Sequence, residues 1–347
     1  MKTYLDKNVY EAALERIAYC FQEFDNVLVA FSGGKDSGVL LNLCYNYADE
    51  HGLLDKLTMY HLDYEAQYQM TTEYVTRTFL EQFPGIRKMW YCVPIKAQSA
   101  CALGEPYWTP WDAAKKKLWV RAMPENPYVV HEGNLDVPFR HGMVDYEFQD
   151  KLSRHFAKKR GTTAVMVGLR ADESLNRYAA VARGKKRRSY EGRKWITQTS
   201  AVTANVYPLY DWRVSDIWTA TARFGFDYNR LYDLLYQAGL TAGQMRVASP
   251  FNDCAQESLK LYKVIDPSNW ARMIGRVNGV NFTGLYGGTT AMGWKTIKLP
   301  PGHTWKSYYE FLLSTMDART AAHYNNILEK SKRYWMQGGT VDPGTAD

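Results

Sequence analysis

Residues 27–41 read VLVAFSGGKDSGVLL, and this stretch decides the fold class. Its opening apolar run, VLVAF, is typical of a strand buried on both faces. A serine, two glycines and a lysine follow, and residues 38–48 read as a helix. Glycine lets the backbone approach a ligand closely, and a helix start presents free N–H groups and a positive dipole end. Because anions bind readily at such a point, the stretch predicts a phosphate-binding loop.

The side chains of this loop fit the same interpretation. Lys35 adds a mobile positive charge, and Ser32 and Ser37 add hydroxyl donors. Asp36 is a candidate helix cap and a candidate Mg²⁺ ligand. The spacing differs from that of a Walker A loop, which requires G-x-x-x-x-G-K-[ST]. A tight strand-to-helix turn with exposed polar residues is the alternative. The predicted phosphate-binding residues, called the phosphate loop below, are Ser32, Gly33, Gly34, Lys35, Asp36 and Ser37.

Strand and helix patterns alternate on both sides of the phosphate loop. Further strands are predicted at residues 57–62, 87–93, 164–167 and 204–207, and helices at 9–24, 71–83, 146–159 and 215–224. This rhythm predicts an α/β fold with a Rossmann-like doubly wound parallel sheet of about five strands.

The alternation of strand and helix patterns is interrupted at residues 94–145 and ends near residue 225. Residues 94–145 are rich in proline and tryptophan, and we interpret them as an insertion that forms a lid or a substrate loop. Helical patterns dominate after residue 225. We therefore predict a nucleotide-binding domain at 1–225, a helical C-terminal subdomain at 226–336 and a flexible tail at 337–347.

Composition narrows the possible classes of protein. Of the 347 residues, 46% are hydrophobic and 23% are charged, which is an ordinary globular balance. The five cysteines contain no C-x-x-C pair, so neither a zinc site nor an iron–sulfur cluster is expected. No apolar run approaches the length of a membrane span, and the first residues are polar. We therefore expect a cytoplasmic protein with no membrane partner.

One segment carries nearly all of the net charge of +7. Residues 183–194, from Arg183 to Lys194 (RGKKRRSYEGRK), hold seven basic residues and one glutamate, and 36 basic and 35 acidic residues remain elsewhere. A local cluster indicates a local anionic partner, such as nucleic acid or a phosphorylated acceptor. A solvated surface loop is the alternative.

The S-G-G-K-D-S motif after a buried strand resembles the PP-loop of the adenine nucleotide α-hydrolase superfamily, the ATP pyrophosphatases. Three further segments extend the resemblance to the PAPS reductase-like branch, where PAPS is 3′-phosphoadenosine 5′-phosphosulfate. They are HLD, ending at Asp63; GLRADES, starting at Gly168 and followed by Arg177; and YPLYDWRVSDIW at 207–218. The chain is also similar to an uncharacterised subgroup of that branch associated with ParB-like partners.

The resemblance implies that the chain binds ATP or a related adenine nucleotide and that the bond between the α- and β-phosphates is broken. Gly168 and Arg170 would lie beside the nucleotide, and Asp63 would contact its sugar or base. Mg²⁺ would accompany the phosphates.

The GLRADES motif also makes chemical sense without the resemblance. It follows a buried strand, and such a segment lies at the ligand-binding edge of an open α/β sheet. Arg170 and Arg177 are suited to bidentate contacts with phosphate or sulfate. Glu173 would orient an arginine or bind a metal. The predicted catalytic residues are therefore Lys35, Arg170, Glu173 and Arg177; a cluster of ion pairs at a helix start is the alternative.

The chain departs from the reductases in one respect. Reductases of this kind carry a C-terminal E-C-G-x-H-type cysteine, and this sequence has no such motif; Cys254 stands alone in its region. Three hypotheses follow: an adenylating enzyme that releases pyrophosphate, a sulfonucleotide reductase that uses Cys254, and a nucleotide-sensing regulatory protein that acts with a ParB-like partner on nucleic acid.

Overall fold

A mostly parallel sheet lies at the centre of the computed structural model. The structure describes residues 6–102, 104–182, 189–247, 249–256, 258–292 and 298–338. These residues contain ten strands: β1 (Asn26–Ala30), β2 (Leu57–Leu62), β3 (Arg87–Cys92), β4 (Ala97–Gln98), β5 (Tyr107–Trp108), β6 (Val129–His131), β7 (Thr163–Val167), β8 (Ser189–Tyr190), β9 (Arg193–Gln198) and β10 (Thr203–Val206).

Eight of these strands form one sheet in the order β6-β3-β2-β1-β7-β10-β9-β8. The first six are parallel, and β9 and β8 are antiparallel to their neighbours. From β1 the chain builds outward through β2 and β3, then returns to place β7 on the other side of β1. The carboxyl ends of β1 and β7 therefore meet at a topological switch point, where ligands bind in folds of this kind.

Helices cover both faces of the sheet, and further helices follow in the chain as far as Gly338. The described helices are α1 (Val9–Glu23), α2 (Lys35–Glu50), α3 (Gln69–Glu81), α4 (Asp145–Arg160), α5 (Leu175–Ala182), α6 (Val214–Phe224), α7 (Leu231–Gln237), α8 (Tyr262–Ile265), α9 (Pro267–Arg276), α10 (Val280–Tyr286), α11 (Trp305–Ser314) and α12 (Ala318–Gly338).

The side chains of β1 show why its apolar run is continuous. Val27 and Val29 pack into a core with α1, α2, α3 and α6, whereas Leu28 packs on the opposite face with α4. Successive strand residues point to opposite faces, so a strand covered on both sides needs apolar residues throughout. The predicted Rossmann-like doubly wound fold is confirmed, and the five predicted strands are β1, β2, β3, β7 and β10.

Three strands of the sheet were not predicted. β6 lies in the 94–145 segment, and its pairing with β3 makes the end of that segment part of the sheet. β8 and β9 form a hairpin around Glu191 and Gly192, which both have positive φ, as tight hairpin turns require. Residues 189–194 of the basic segment are therefore hairpin rather than loop, and residues 183–188 lie outside the described residues.

The chain divides into two compact units, Met1–Gly288 and Thr289–Asp347. The pattern in the sequence changes near residue 225, whereas the boundary between the units follows Gly288. α7 to α10 thus belong to the same unit as the sheet, and α11 and α12 form the second. In the part of the chain that the structure describes, no helix is both long and apolar enough to cross a membrane. Residues 339–347 of the predicted tail lie outside that part.

Candidate active site

The phosphate loop follows β1 directly and leads into α2. Gly33 has a φ of +77°, and a Cβ atom there would lie 2.9 Å from Val75 Cγ2, so this position requires glycine. Gly34 is extended and caps α2, which begins at Lys35 rather than at residue 38 as the sequence suggested. The first helical turn therefore includes Lys35 and Asp36, and its N–H groups lie at the loop itself.

The two serines hold the loop in shape. Ser37 Oγ donates to Gly34 O at 3.0 Å and accepts from Ser32 N at 3.1 Å. The Ser32 and Ser37 hydroxyls lie 3.0 Å apart, and Gly34 N donates to Ser32 Oγ at 3.3 Å. The predicted hydroxyl donors thus bond within the loop, because a sharp turn between strand and helix leaves backbone groups that need nearby partners.

Lys35 is surrounded by oxygen atoms of the protein. Its side chain is 5% exposed, and its ammonium lies 3.2 Å from Asp36 Oδ2 and 3.4 Å from the carbonyl oxygen of Met245. Its backbone N donates to the Tyr232 hydroxyl at 3.1 Å. Burial, followed by Asp36, raises the pKa of Tyr232 well above its usual range, so this hydroxyl stays neutral. A phosphate at the start of α2 would replace the oxygens of Tyr232 and Met245.

The end of β7 packs against the phosphate loop. A Cβ atom at Gly168 would lie 2.9 Å from Ser37 N and 3.0 Å from the carbonyl carbon and oxygen of Asp36, so only glycine permits this approach. Arg170 follows, is almost completely buried and bonds to Asp36 through Nε and to Asp172 through Nη1. Burial would lower the pKa of Arg170, but Asp36 and then Asp172 outweigh it and raise that pKa. The structure therefore brings the phosphate loop and the GLRADES motif together at the switch point.

Asp36 is a bridge between two cations. One carboxylate oxygen pairs with Arg170 and the other with Lys35. Mg²⁺ needs free carboxylate oxygens, so these donors do not fit a metal ion held by the protein. Across the described residues, no group of three or more His, Cys, Asp or Glu side chains is placed to hold a metal. Both carboxylate oxygens of Asp36 are paired with cations in this structure, and its role as a Mg²⁺ ligand stays a prediction.

Glu173 lies between two arginines. Its Oε2 pairs with Arg177 Nε at 3.1 Å, and its Oε1 lies 3.6 Å from Arg246 Nη1. Arg246 Nη2 also donates to the backbone oxygen of Glu173 at 2.9 Å. Glu173 thus orients arginines, one of the two roles that its position suggested. Arg246 was not among the predicted site residues, because the sequence around it matches none of the motifs, and Cys254 was the candidate in that region.

Asp63 supports the chain after β2. Its carboxylate is fully buried and accepts from Trp90 Nε1 at 2.7 Å, from Arg121 Nη2 at 2.6 Å and from the backbone N of Glu65 at 2.8 Å. Burial would raise the pKa of Asp63, but Arg121 outweighs it and lowers that pKa. The Asp63 carboxylate is thus paired with Arg121 from the 94–145 segment, and its contact with the sugar or base stays a prediction.

A second buried carboxylate joins three parts of the fold. Glu65, which has a positive φ, accepts from Arg276 Nε at 2.8 Å and Nη2 at 3.0 Å. It also accepts from the backbone N of Trp111 at 2.7 Å and of Val120 at 3.0 Å. The chain after β2, the 94–145 segment and α9 are therefore connected through one side chain. We call Glu65 and Arg276 the buried ion pair.

Cys254 differs from the other cysteines. Cys20, Cys44, Cys92 and Cys101 are buried, whereas Cys254 is exposed. Burial of its sulfur raises the thiol pKa of Cys254, and the neighbouring Arg246 offsets this only in part. A thiol with a raised pKa is a poor source of thiolate at neutral pH.

Comparisons with known proteins divide the chain at residue 238. Residues 26–238 match the family described as "Phosphoadenosine phosphosulfate reductase domain", and residues 239–347 match "Domain of unknown function (DUF3440)". The uncharacterized protein YbdN of Escherichia coli (strain K12) is 34% identical over 346 residues, which is 98% of this chain and 83% of YbdN.

Two solved structures illustrate more distant similarity. Phosphoadenylyl-sulfate reductase from Candida auris, in complex with phosphate, is 13% identical over 67% of this chain and 93% of that chain, with a TM-score of 0.36. FMN adenylyltransferase from Candida glabrata, in complex with FAD and inorganic pyrophosphate, is 14% identical over 66% of this chain and 64% of that chain, with a TM-score of 0.37. Similarity at this level supports no statement about activity.

Proposed function

The chain belongs to the phosphoadenosine phosphosulfate reductase domain family, and from this premise we propose that it is an enzyme that binds ATP and transfers its adenylyl group with release of pyrophosphate. The observation that carries the proposal is the convergence of Lys35 and Arg170 on the start of α2, at the switch point of the sheet. Two cations and a helix N-terminus suit a chain of phosphates.

Each of these groups has a separate role in the proposed reaction. An oxygen of the acceptor attacks the α-phosphorus, the bond to the bridging oxygen of the β-phosphate breaks, and pyrophosphate leaves with the electron pair. Lys35 and the first N–H groups of α2 hold the departing phosphates. Arg170 and the more exposed Arg177 neutralise the charge that develops at the α-phosphate.

A general base is difficult to assign to this site. Asp36 and Glu173, the two carboxylates nearest the phosphate loop that could take a proton, each contact two cations. A carboxylate held in this way is poorly placed to take a proton from an acceptor. An acceptor that is already an oxyanion would lose no proton on attack, so the proposed chemistry favours such an acceptor.

We expect the Tyr232→Phe variant to bind ATP about two- to tenfold more tightly than the wild type. The hydroxyl accepts from Lys35 N, and an ATP phosphate has to replace it there. Loss of one such hydrogen bond corresponds to about 0.5–1.5 kcal/mol. Isothermal titration with ATP measures the effect.

The matched control is Tyr236→Phe, an exposed position on the same helix, α7, which should leave the affinity unchanged. Weaker ATP binding by Tyr232→Phe would mean that the hydroxyl contacts the nucleotide rather than competes with it.

The sulfonucleotide reductase is the second candidate, because the exposed Cys254 lies beside Arg246, which contacts Glu173. The raised pKa of its thiol disfavours thiolate attack. The third candidate, a nucleotide sensor that acts on nucleic acid with a ParB-like partner, would use residues 183–194. It rests on their charge alone.

A panel of ATP, AMP, 3′-phosphoadenosine 5′-phosphate and PAPS, with products identified by mass spectrometry, separates the candidates. We expect ATP to give pyrophosphate with AMP or an adenylylated acceptor. Formation of ADP and phosphate alone would contradict the proposal, because the wrong bond would have been broken. With a dithiol added as the two-electron reductant, sulfite produced from PAPS by the wild type but not by Cys254→Ser would instead identify a reductase.

A further inference from the structure

A pocket that is partly open to solvent lies beside the phosphate loop, and we call it the cavity. One wall comes from the chain after β2 and from α3, and the other from the segment between α7 and α8 together with the start of α8. Its described lining residues are Gln67, Tyr68, Thr71, Arg246, Val247, Pro250, Ala255, Ser258, Leu259 and Tyr262.

Two contacts fix the distance between the cavity and the phosphate loop. Thr71 Cγ2 would lie 3.2 Å from a Cβ atom at Gly33, and the backbone oxygen of Val247 would lie 3.8 Å from one at Gly34. Both neighbours are lining residues of the cavity. A molecule in the cavity would therefore be adjacent to phosphates bound at the loop.

Arg246 gives the cavity its charge. It is the one charged side chain among the described lining residues, and the rest are polar or apolar. Glu173 engages part of its guanidinium, at Nη1 and Nη2. The guanidinium carries several N–H donors in a planar fork, so Arg246 can bond to Glu173 and to an anion at the same time.

Tyr68 provides a second polar group. The residue is 8% exposed, and its hydroxyl has no hydrogen-bond partner among the described residues. Its ring stacks on that of Tyr262 with centroids 3.5 Å apart, which fixes the ring in the cavity wall. A buried hydroxyl without a partner is unfavourable, so a ligand oxygen that accepted from it would be stabilised.

We propose that this cavity binds the acceptor of the adenylyl group as a small oxyanion, namely a carboxylate, a sulfate or a phosphate, held by Arg246 and the Tyr68 hydroxyl. The inference rests on the proposed function, since it places the second substrate next to the ATP phosphates. It also agrees with the site chemistry, because an oxyanion needs no general base.

Equilibrium dialysis with radioactive sulfate tests the proposal. The protein is first saturated with α,β-methylene ATP, so that sulfate cannot occupy the phosphate loop. Acetate and inorganic phosphate are added as competitors, and the stronger competitor identifies the class of oxyanion. Each of the three anions is also dialysed in labelled form, and we expect saturable retention of at least one of them by the wild type.

The Arg246→Met variant should lower the affinity for the retained oxyanion about tenfold or more and leave binding of the nucleotide analogue unchanged. Arg272→Met, at an exposed position of α9, is the matched control and should retain the oxyanion. Tyr68→Phe should weaken retention several-fold without lowering the thermal unfolding midpoint, because it removes a hydroxyl that has no partner among the residues that the structure describes.

Equal retention by Arg246→Met and the wild type, or retention of none of the three anions, would overturn the inference. The proposed function fails separately, if the wild type does not bind the nucleotide analogue or does not release pyrophosphate from ATP. Retention that depends on Arg246 in a protein without ATP turnover would therefore support the site and reject the reaction.

Discussion

The Lys35→Ala variant is expected to release pyrophosphate from ATP about 10²- to 10³-fold more slowly than the wild type, the usual effect of removing one preorganised group that stabilises charge in a transition state. The ammonium of Lys35 is buried beside the start of α2, where the departing phosphates would gather negative charge. A buried cation acts more strongly on such charge than one exposed to water. Pyrophosphate release under saturating ATP measures the effect.

The control for this variant is Lys158→Ala, at an exposed position near the end of α4. It should retain the wild-type rate. Thermal unfolding of both variants shows whether the fold is intact; we expect Lys35→Ala to stay folded, because Asp36 keeps its pairing with Arg170. A rate for Lys35→Ala within twofold of the wild type would reject the role of this lysine and the assignment of the phosphate loop.

The Arg276→Met variant is expected to lower the free energy of unfolding by about 3–5 kcal/mol, because it leaves the buried Glu65 carboxylate without its cation. The side chains of Glu65 and Arg276 are 0% and 2% exposed, so water does not compensate for the loss. Arg276 also donates to the backbone oxygen of Thr109 at 2.6 Å, and that acceptor would lose its partner too. Urea denaturation, with the slope compared between variants, measures the change.

Arg272→Met lies on the same helix, α9, at an exposed position, and should change the stability by less than about 0.5 kcal/mol. A double variant, Glu65→Gln with Arg276→Met, should recover part of the loss, since it removes both charges. A decrease below about 1 kcal/mol for Arg276→Met would show that the buried ion pair does not hold the fold together.

The sequence predicted those features whose signal is local. The strand, the glycines and the helix start of the phosphate loop are adjacent in the chain, so periodicity and composition predict them together. The motif that starts at Gly168 follows a buried strand, and the rule for the carboxyl ends of parallel strands places it near the loop. β6 and β8 were not predicted because they have only three and two residues, and β9 was not predicted because it has no continuous apolar run.

The features that could not be predicted depend on contacts between distant parts of the chain. Glu65 and Arg276 are 211 residues apart, and nothing near either residue indicates a partner. Tyr232 and Lys35 are 197 residues apart. Asp63 shows a related difficulty: the pattern places it correctly at the end of β2, but it does not show that Arg121 covers the carboxylate.

The buried ion pair has a consequence for how this protein changes over generations. Glu65 lies in the part of the sequence that matches the reductase domain family, residues 26–238, and Arg276 lies in the part that matches the second family, residues 239–347. A genetic exchange that replaced only the second of these parts would leave the buried Glu65 carboxylate without a cation, unless the new segment also carried an arginine at this position. The two parts are thus expected to be inherited together. A natural relative that lacks either Glu65 or Arg276 should lack the other residue as well.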